Sequence, residues 1–181
     1  MTLVVEIVAY NVDWPKRFNE LARDMRIALG EVATRIDHIG STAIPDLAAK
    51  PIIDIQISVD AFDPHDAYRL PLEKLGYVWR ATNPELTKRY FREPLGSPRT
   101  HVHVRRTGSW AEQFALLFRD YLRCHPEEAR KYEEVKRSLT DKFRGDRPGY
   151  TEAKQPFIWE LMGRADSWSQ EIGWTPEPSD A

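Results

Sequence analysis

The run Ile52 to Val59 constrains the fold most, because it is short, apolar and interrupted by one carboxylate. Five of its eight residues are isoleucine or valine, and Asp54 stands among them. Such a run is typical of a buried strand. A buried charge needs a partner or a polar cavity, so we expect Asp54 to face a site. The alternatives are a structural ion pair or a backbone cap.

The segments around this strand alternate between helical and extended patterns. Apolar side chains at helical spacing predict an N-terminal helix from Asp13 to Leu29 that stops at Gly30. A short strand, Arg35 to Ile39, precedes the Gly-Ser pair. The other predicted elements are an extended arm or strand at 3–8, a turn or short helix at 42–50, a helix from Asp63 to Gly76 kinked at Pro71, a hairpin of strands 86–92 and 100–105, and helices at about 109–124, 126–143 and 151–170.

This order of elements favours a layered α/β (α+β) fold. We predict a mixed sheet with an N-terminal helix on it and a C-terminal helical cap. The 181 residues suffice for one domain, which we place at residues 1–172. Residues 173–181 are polar and contain two prolines, so we expect a flexible tail.

The charge balance gives no argument for a nucleic-acid or membrane partner, although it does not exclude a local basic pocket. The chain has 26 basic and 28 acidic side chains, a net charge of −2, which gives no sign of a nucleic-acid scaffold or a membrane surface. No apolar run approaches ~18 residues, and the N-terminus lacks a signal-peptide pattern. The single Cys124 excludes an internal disulfide. We therefore expect a cytoplasmic protein without a membrane partner.

A glycine-serine pair after the first strand suits phosphate binding. Gly40 would let a backbone approach a phosphate closely, and the Ser41 and Thr42 hydroxyls could donate to its oxygens. Asp54 on a neighbouring strand could hold a divalent metal, and Lys50 could add a positive charge. The alternative is a tight strand-to-helix turn in which Ser or Thr only caps the helix.

This pattern resembles that of nucleotidyltransferases of the DNA polymerase β superfamily, which carry Gly-Ser and then Asp-x-Asp on the next strand. The runs HIGSTAIP (38–45) and LAAKPIIDI (47–55) are also similar to the central signature of the GrpB family. Further matches are Tyr10, Trp14 and Phe18, RYF at 89–91, HVHV at 101–104, FRDYLR at 118–123, and Lys154 before Phe157. The resemblance implies a nucleotidyltransferase-like fold and a nucleoside triphosphate as ligand.

The metal site departs from the superfamily pattern. Gln56 stands where the second carboxylate is expected, and the strand that should bring a third carboxylate offers His101 and His103. Mg²⁺ prefers oxygen ligands, whereas an aspartate with two histidines suits Zn²⁺ or Mn²⁺ better. We expect Asp54, His101 and His103 as metal ligands, with Asp54 and His103 as the catalytic pair. The alternative is that one histidine is exposed and the other is a core residue.

Basic residues outside this segment complete the predicted site. We expect Arg89, which stands next to Tyr90 and Phe91, to point inward. Lys154 and Arg119 lie on predicted C-terminal helices and could reach an anionic substrate. For Arg119 and Lys154 the alternative is a surface ion pair. His38 could join the cavity or be structural.

Two functions follow from this reading. The first is a nucleotidyltransferase that binds a triphosphate on Gly40, Ser41 and Thr42, with Lys50 as a clamp and Mg²⁺, Mn²⁺ or Zn²⁺ on Asp54. The second is a non-catalytic descendant that binds a nucleotide, another anion or a partner protein. Because GrpB-like domains can be fused to dephospho-coenzyme A kinases, the resemblance also implies an accessory role. The sequence leaves a protein partner or homo-oligomer open.

Overall fold

The protein is built on a five-stranded mixed sheet, which a computed structural model describes for residues 5–181. The strands are β1 (Arg35–Ile39), β2 (Ile53–Val59), β3 (Val78–Trp79), β4 (Arg89–Arg92) and β5 (Thr100–Arg106). Their order in the sheet is β1-β2-β5-β4-β3. Only β2 and β5 run parallel, and the remaining pairs are antiparallel. The predicted mixed sheet is thus confirmed.

The two faces of the sheet differ because side chains alternate along each strand. Ile55 pairs with Val102 in the register, and both point to the apolar back face. Two helices cover that face, α1 (Asp13–Leu29) and α2 (Asp66–Lys74). The alternate positions Asp54 and Gln56 point to the front face, opposite His101 and His103. The front face of the sheet therefore carries polar side chains that can form a site.

Four helices form the predicted cap. They are α3 (Trp110–Cys124), α4 (Pro126–Lys142), α5 (Arg147–Ala153) and α6 (Gln155–Ile172). The apolar faces of α3, α4 and α6 make a second core with Ile44 and Leu47, which lie in the β1–β2 connection. That connection is therefore fixed between two packed layers. No helix among residues 5–181 is both long and apolar enough to cross a membrane.

Several element boundaries differ from those predicted. Residues 147–153 form a separate helix ahead of the predicted helix at 151–170, and α2 begins only at Asp66. The 42–50 connection contains one short 3-10 turn, Ser41–Ala43, and is otherwise irregular. Of the predicted arm at 3–8, residues 3 and 4 lie outside the described part, and Val8 makes a single bridge to Ala49. Such differences arise where tertiary packing, not local propensity, decides the conformation.

Residues 177–181, part of the segment for which the sequence predicts a flexible tail, contact the edge strand β1. The Ala181 amide donates to the Ile36 carbonyl at 3.1 Å, and the His38 amide donates to the Asp180 carboxylate at 2.8 Å. An edge strand presents unpaired backbone groups, and here the chain's own C-terminal segment satisfies some of them. The tail is therefore held by specific hydrogen bonds.

Arg119 connects this tail to the sheet from a fully buried position on α3. Its guanidinium lies 2.7 Å from Asp120, 3.0 Å from Asp180 and 3.6 Å from the buried Asp37. It also donates to the His38 carbonyl at 3.3 Å. The sequence-based expectation that Arg119 reaches an anionic substrate is wrong, because its side chain is 0% exposed and held by three carboxylates.

Replacement of Arg119 by alanine should lower the free energy of unfolding by about 3–5 kcal/mol, because it leaves the buried Asp120 without its cation and empties a fully buried position. Urea denaturation measures the change. Arg23→Ala, which removes an exposed ion pair with Asp24, is the control and should change stability by less than about 0.5 kcal/mol. Equal effects of the two substitutions would contradict the structural role of Arg119.

Candidate functional site

The turn after β1 brings the backbone at Gly40 against the Asp54 carboxylate. Gly40 has φ of +71°, a conformation that favours glycine. A Cβ at this position would lie 2.8 Å from Oδ2 and 3.2 Å from Cβ of Asp54. Any side chain here would therefore clash with the carboxylate. The glycine lets the Gly40-Ser41 turn and the start of β2 share one wall of a pocket.

Two histidines hold the same carboxylate from the neighbouring strand. His101 Nδ1 lies 3.1 Å and His103 Nε2 lies 3.2 Å from Oδ1 of Asp54. The β2–β5 register places His101 directly opposite Asp54, and His103 follows at the next position on the same face. Tyr90 on β4 packs against both imidazoles, with ring centroids 5.5 Å and 5.4 Å away. One aspartate and two imidazoles thus converge within 4.8 Å of one another.

The environment lowers the pKa values of both Asp54 and His103, but for different reasons. Burial alone would raise the pKa of Asp54, but hydrogen bonds from His101 and His103 bring it well below its usual range. Burial lowers the pKa of His103 to about 4 despite the nearby Asp54. At neutral pH the cluster therefore contains an ionised aspartate beside a neutral His103, which is the imidazole form that binds metals.

Gln56, at the position of the missing second carboxylate, is engaged elsewhere. Its side-chain oxygen accepts from Arg105 at 2.5 Å, and its amide nitrogen donates to the Glu112 carbonyl at 3.4 Å. The Arg105 guanidinium thus binds the residue at which a two-metal site would need its second carboxylate. Two Mg²⁺ ions do not fit this donor set, because Asp54 is its only carboxylate.

The opposite wall of the pocket is strongly basic. The pocket has a volume of about 350 Å³, and its lining includes Lys50, Lys136, Arg147 and Lys154. The ammonium groups of Lys50 and Lys154 lie 4.2 Å and 4.8 Å from the centre of the same Tyr150 ring. Lys136 donates a hydrogen bond to the Ala48 carbonyl. Among residues 5–181, these four side chains have no carboxylate within ion-pairing distance.

Burial lowers the pKa values of the three lysines, and neighbouring cations add to the shift at Lys50 and Lys136. Burial, together with Lys154 and Arg147, lowers the pKa of Lys50 to about 8. Burial and Lys154 lower that of Lys136 to about 7, and burial also lowers the pKa of Lys154. A bound anion would raise these pKa values again, since an opposite charge favours the protonated form.

The structure brings most of the predicted site residues together. Asp54, His101, His103, Lys50 and Lys154 all line the pocket, as do Ser41 and Thr42, and Gly40 lies directly beneath Asp54. Thr42 is nearly buried, and its hydroxyl donates to the Ile52 carbonyl at 3.1 Å. His38 is structural here, since it contacts Thr42 at 3.0 Å and stacks on Phe18.

Arg89 is not brought into the pocket. It alternates with Tyr90 on β4 and therefore points to the back face, where its guanidinium lies 4.1 Å from the Phe62 ring centre. It donates to the Leu86 carbonyl at 3.1 Å. The prediction that Arg89 points inward to the ligand is wrong, because Tyr90 and not Arg89 lies on the front face of β4.

The site predicted from the sequence does not include Arg147 and Tyr150 of α5. With Thr151 of α5 and the predicted Lys154, which directly follows this helix, they have the spacing i, i+3, i+4, i+7, and all four line the pocket. This spacing is typical of one helix face, so the pattern is visible in the sequence. The predicted helix begins only at residue 151 and therefore excludes Arg147 and Tyr150. Lys136 carried no comparable signal.

Comparison with known proteins places the chain in a family. Residues 4–164 match the family described as GrpB protein. This chain belongs to the GrpB family. A UPF0157 protein of Pseudomonas aeruginosa is 41% identical over 89% of this chain and 67% of its own length. The UPF0157 protein YqkA of Bacillus subtilis is 35% identical over 92% of this chain.

Some relatives are considerably longer. This GrpB-family chain spans 48% of the YqkA protein and 48% of a protein named dephospho-CoA kinase from Mycolicibacterium paratuberculosis, to which it is 33% identical over 95% of its length. It therefore corresponds to about half of these two relatives.

Solved structures agree with the assignment. The crystal structure of the conserved protein GrpB from Enterococcus faecalis has a TM-score of 0.80 and 30% identity, covering 90% of this chain and 99% of that one. A structure of Cid1 in complex with its short product ApU has a TM-score of 0.53 at 12% identity, covering 81% of this chain and 48% of the other. The Cid1 likeness shows a shared nucleotidyltransferase-like fold, as the sequence predicts.

Gly40→Ala should destabilise the protein by about 1–3 kcal/mol, because it adds both backbone strain and a clash with Asp54. The matched control is Gly96→Ala, which has φ of +79° but no atom within 4 Å of the added Cβ. It should show the backbone cost alone, about 1–2 kcal/mol. Chemical denaturation compares the two variants. A smaller loss at Gly40 than at Gly96 would contradict the close approach.

Proposed function

We propose that this GrpB-family protein binds a nucleotide or another phosphate-bearing ligand in the pocket between Asp54 and α5. The observation that carries the proposal is the cationic wall, defined as Lys50, Lys136, Arg147 and Lys154. Four basic groups face one carboxylate in a chain whose net charge is −2. This local excess of positive charge is costly without a bound anion.

Phosphate is the anion that fits this wall best. Lysine ammonium and arginine guanidinium groups make charge-assisted hydrogen bonds to phosphate oxygens, and several cations can share a chain of phosphates. The Ser41 hydroxyl adds a neutral donor on the other side of the pocket. In the proposed binding mode, the phosphates of the ligand therefore contact Lys50 and α5, and Asp54 with its two histidines lies on the other side of the ligand.

The donor set of Asp54, His101 and His103 fits one transition-metal ion better than Mg²⁺. Nitrogen ligands with a single carboxylate suit Zn²⁺ or Mn²⁺. When bound, such an ion would neutralise phosphate charge and act as a Lewis acid. Asp54 and the two imidazoles would hold it, and Tyr90 would keep both rings in place.

Nucleotide binding without two-metal transfer is the function that this geometry supports best. The Gln56–Arg105 contact occupies the place where superfamily chemistry needs a second carboxylate. Nucleotidyl transfer is the second candidate, supported by the Cid1-like fold and the Asp54 cluster. The relatives named dephospho-CoA kinase support a variant of the first proposal, an accessory nucleotide-binding domain in a longer protein. A cytoplasmic location remains a prediction from the sequence.

Removal of pocket cations should weaken nucleotide binding. Lys50→Ala and Lys154→Ala should each raise the Kd for ATP by roughly tenfold or more, because each removes a charged donor to phosphate. Isothermal titration calorimetry at fixed salt measures the change. Lys16→Ala, an exposed lysine on α1, should leave the Kd within about twofold. No ATP binding by the wild-type protein, or equal effects of all three changes, would refute the pocket.

Metal binding tests the Asp54 cluster separately. The purified protein should bind one equivalent of Zn²⁺ or Mn²⁺, and Asp54→Asn or His103→Ala should lower the affinity by roughly tenfold or more, since each removes one ligand. His65→Ala, away from the cluster, is the control. An assay of pyrophosphate release from nucleoside triphosphates, with Asp54→Asn beside it, separates the two candidate functions. Turnover that requires Asp54 would favour transfer over binding alone.

A further inference from the structure

A basic residue outside the cationic wall, Arg99, contacts the Asp54 cluster from the β4–β5 hairpin. It directly precedes β5, and its Nη2 lies 3.4 Å from Nε2 of His101. The other ring nitrogen of His101, Nδ1, lies 3.1 Å from the Asp54 carboxylate. Arg99 is therefore hydrogen-bonded to one of the two imidazoles that line the pocket.

This hydrogen bond determines which nitrogen of His101 carries the proton. A guanidinium has donors only, so Nε2 of His101 accepts, and the ring proton lies on Nδ1, which donates it to Asp54. Metal binding through Nδ1 needs a lone pair on that nitrogen, and the proton would then lie on Nε2 and face the guanidinium. Arg99 in this position thus opposes metal binding by His101, through two facing donors and through its charge.

His103 faces no such donor. Its Nε2 lies 3.2 Å from Asp54, and its Nδ1 is buried without a hydrogen-bond partner among residues 5–181. A metal-binding histidine usually donates its second N–H to a carboxylate or a carbonyl. At His101 the structure has a donor in the place of that acceptor. His101 is thus the ligand whose availability a neighbouring side chain controls.

Arg99 is loosely held beside His101. Its Nε lies 3.5 Å from the Glu93 carboxylate and is buried without a hydrogen-bond partner in the described part of the chain. Glu93 is itself bound by Arg92 through two hydrogen bonds of 2.9 Å and 2.8 Å, and it also accepts from the Thr100 amide. The Arg99 guanidinium can therefore exchange these long contacts for a closer anion.

The cationic wall lies within electrostatic reach of this guanidinium. Burial and neighbouring cations lower the pKa of Lys50, and Arg99 is one of these cations. Burial also lowers the pKa of Arg99, with Arg92 and Arg147 adding to the shift. Lys50 and Arg147 both line the pocket. A phosphate bound there would attract Arg99 more strongly than the uncharged Nε2 of His101 does, because its oxygens are anionic acceptors.

We propose that Arg99 couples metal binding to phosphate binding in this pocket. Without a phosphate ligand, Arg99 is hydrogen-bonded to His101 and opposes a metal ion at the Asp54 cluster. With the ligand bound, it donates to a phosphate oxygen and leaves His101 available as a metal ligand. This inference rests on the proposed function and adds a regulation of the same site. Because such coupling is reciprocal, the metal would also strengthen phosphate binding.

Zn²⁺ titrations without nucleotide, against a competing chromophoric chelator, test the opposition at His101. Arg99→Ala should raise the Zn²⁺ affinity roughly tenfold, and Arg99→Gln should raise it at least as much, because its amide oxygen can accept from Nε2. Lys88→Ala is the control. Lys88 lies 5.4 Å from the ring of Tyr90, which packs on both histidines, but it is paired with Glu85 at 2.6 Å. This variant should stay within about twofold of the wild-type affinity.

The same titrations with AMP test the coupling. AMP carries one phosphate and therefore competes for Zn²⁺ less than ATP does. Saturating AMP should raise the Zn²⁺ affinity of the wild-type protein roughly tenfold more than that of Arg99→Ala, since the variant has no guanidinium to move. AMP should also bind the metal-free variant more weakly than the metal-free wild-type protein.

The outcomes separate this inference from the proposed function. If AMP binds but Arg99→Ala leaves the Zn²⁺ affinity unchanged or lower, or Lys88→Ala raises it equally, the inference is refuted and the phosphate pocket stands. An equal effect of AMP on the wild-type protein and on Arg99→Ala would also refute it. If neither AMP nor ATP binds, the phosphate pocket and the inference are both refuted. If none of these proteins binds Zn²⁺, the metal cluster and the inference are refuted together.

Discussion

The close approach of the Gly40 backbone to the Asp54 carboxylate is the constraint on which the site depends. The turn after β1 can reach the start of β2 only because no Cβ intervenes. Packing of Ile44 and Leu47 into the helical core then fixes the connection that follows. The carboxylate is thereby held between a backbone turn on one side and two imidazoles on the other.

The two sides of the pocket differ in charge. The front face of the sheet presents one ionised aspartate with histidines. The helical cap and Lys50 present the cationic wall, whose four side chains have no ion-paired carboxylate among the described residues. An anion with several negative groups would bridge the two sides and restore the depressed lysine pKa values. Gln56 is hydrogen-bonded to Arg105, which leaves Asp54 as the one carboxylate of the cluster, and the proposed function therefore assigns it a single transition-metal ion.

Much of this arrangement was predictable from the sequence, and the exceptions have physical causes. The apolar β2 run around Asp54 and the Gly-Ser turn are local features, so their pattern sufficed to predict the shared pocket. Arg89 was misplaced because the hairpin register, which local sequence does not reveal, gave the front-face position to Tyr90. The α5 stripe was missed because its spacing shows only when the helix boundary is right. The contacts of the tail are not predictable from local sequence, because Arg119 and the β1 edge that hold it are distant in sequence.

The proton balance of nucleotide binding tests the central claim most directly. Lys50 and Lys136 have pKa values of about 8 and 7, so at pH 8 both are partly neutral in the free protein. A phosphate ligand in contact with them should raise their pKa values and take up about one proton per molecule bound. Calorimetric titration of ATP at pH 8, in buffers of different ionisation enthalpy, measures this uptake. We predict net uptake that disappears in a Lys50→Met, Lys136→Met double variant, and binding without proton uptake would contradict a phosphate site on these lysines.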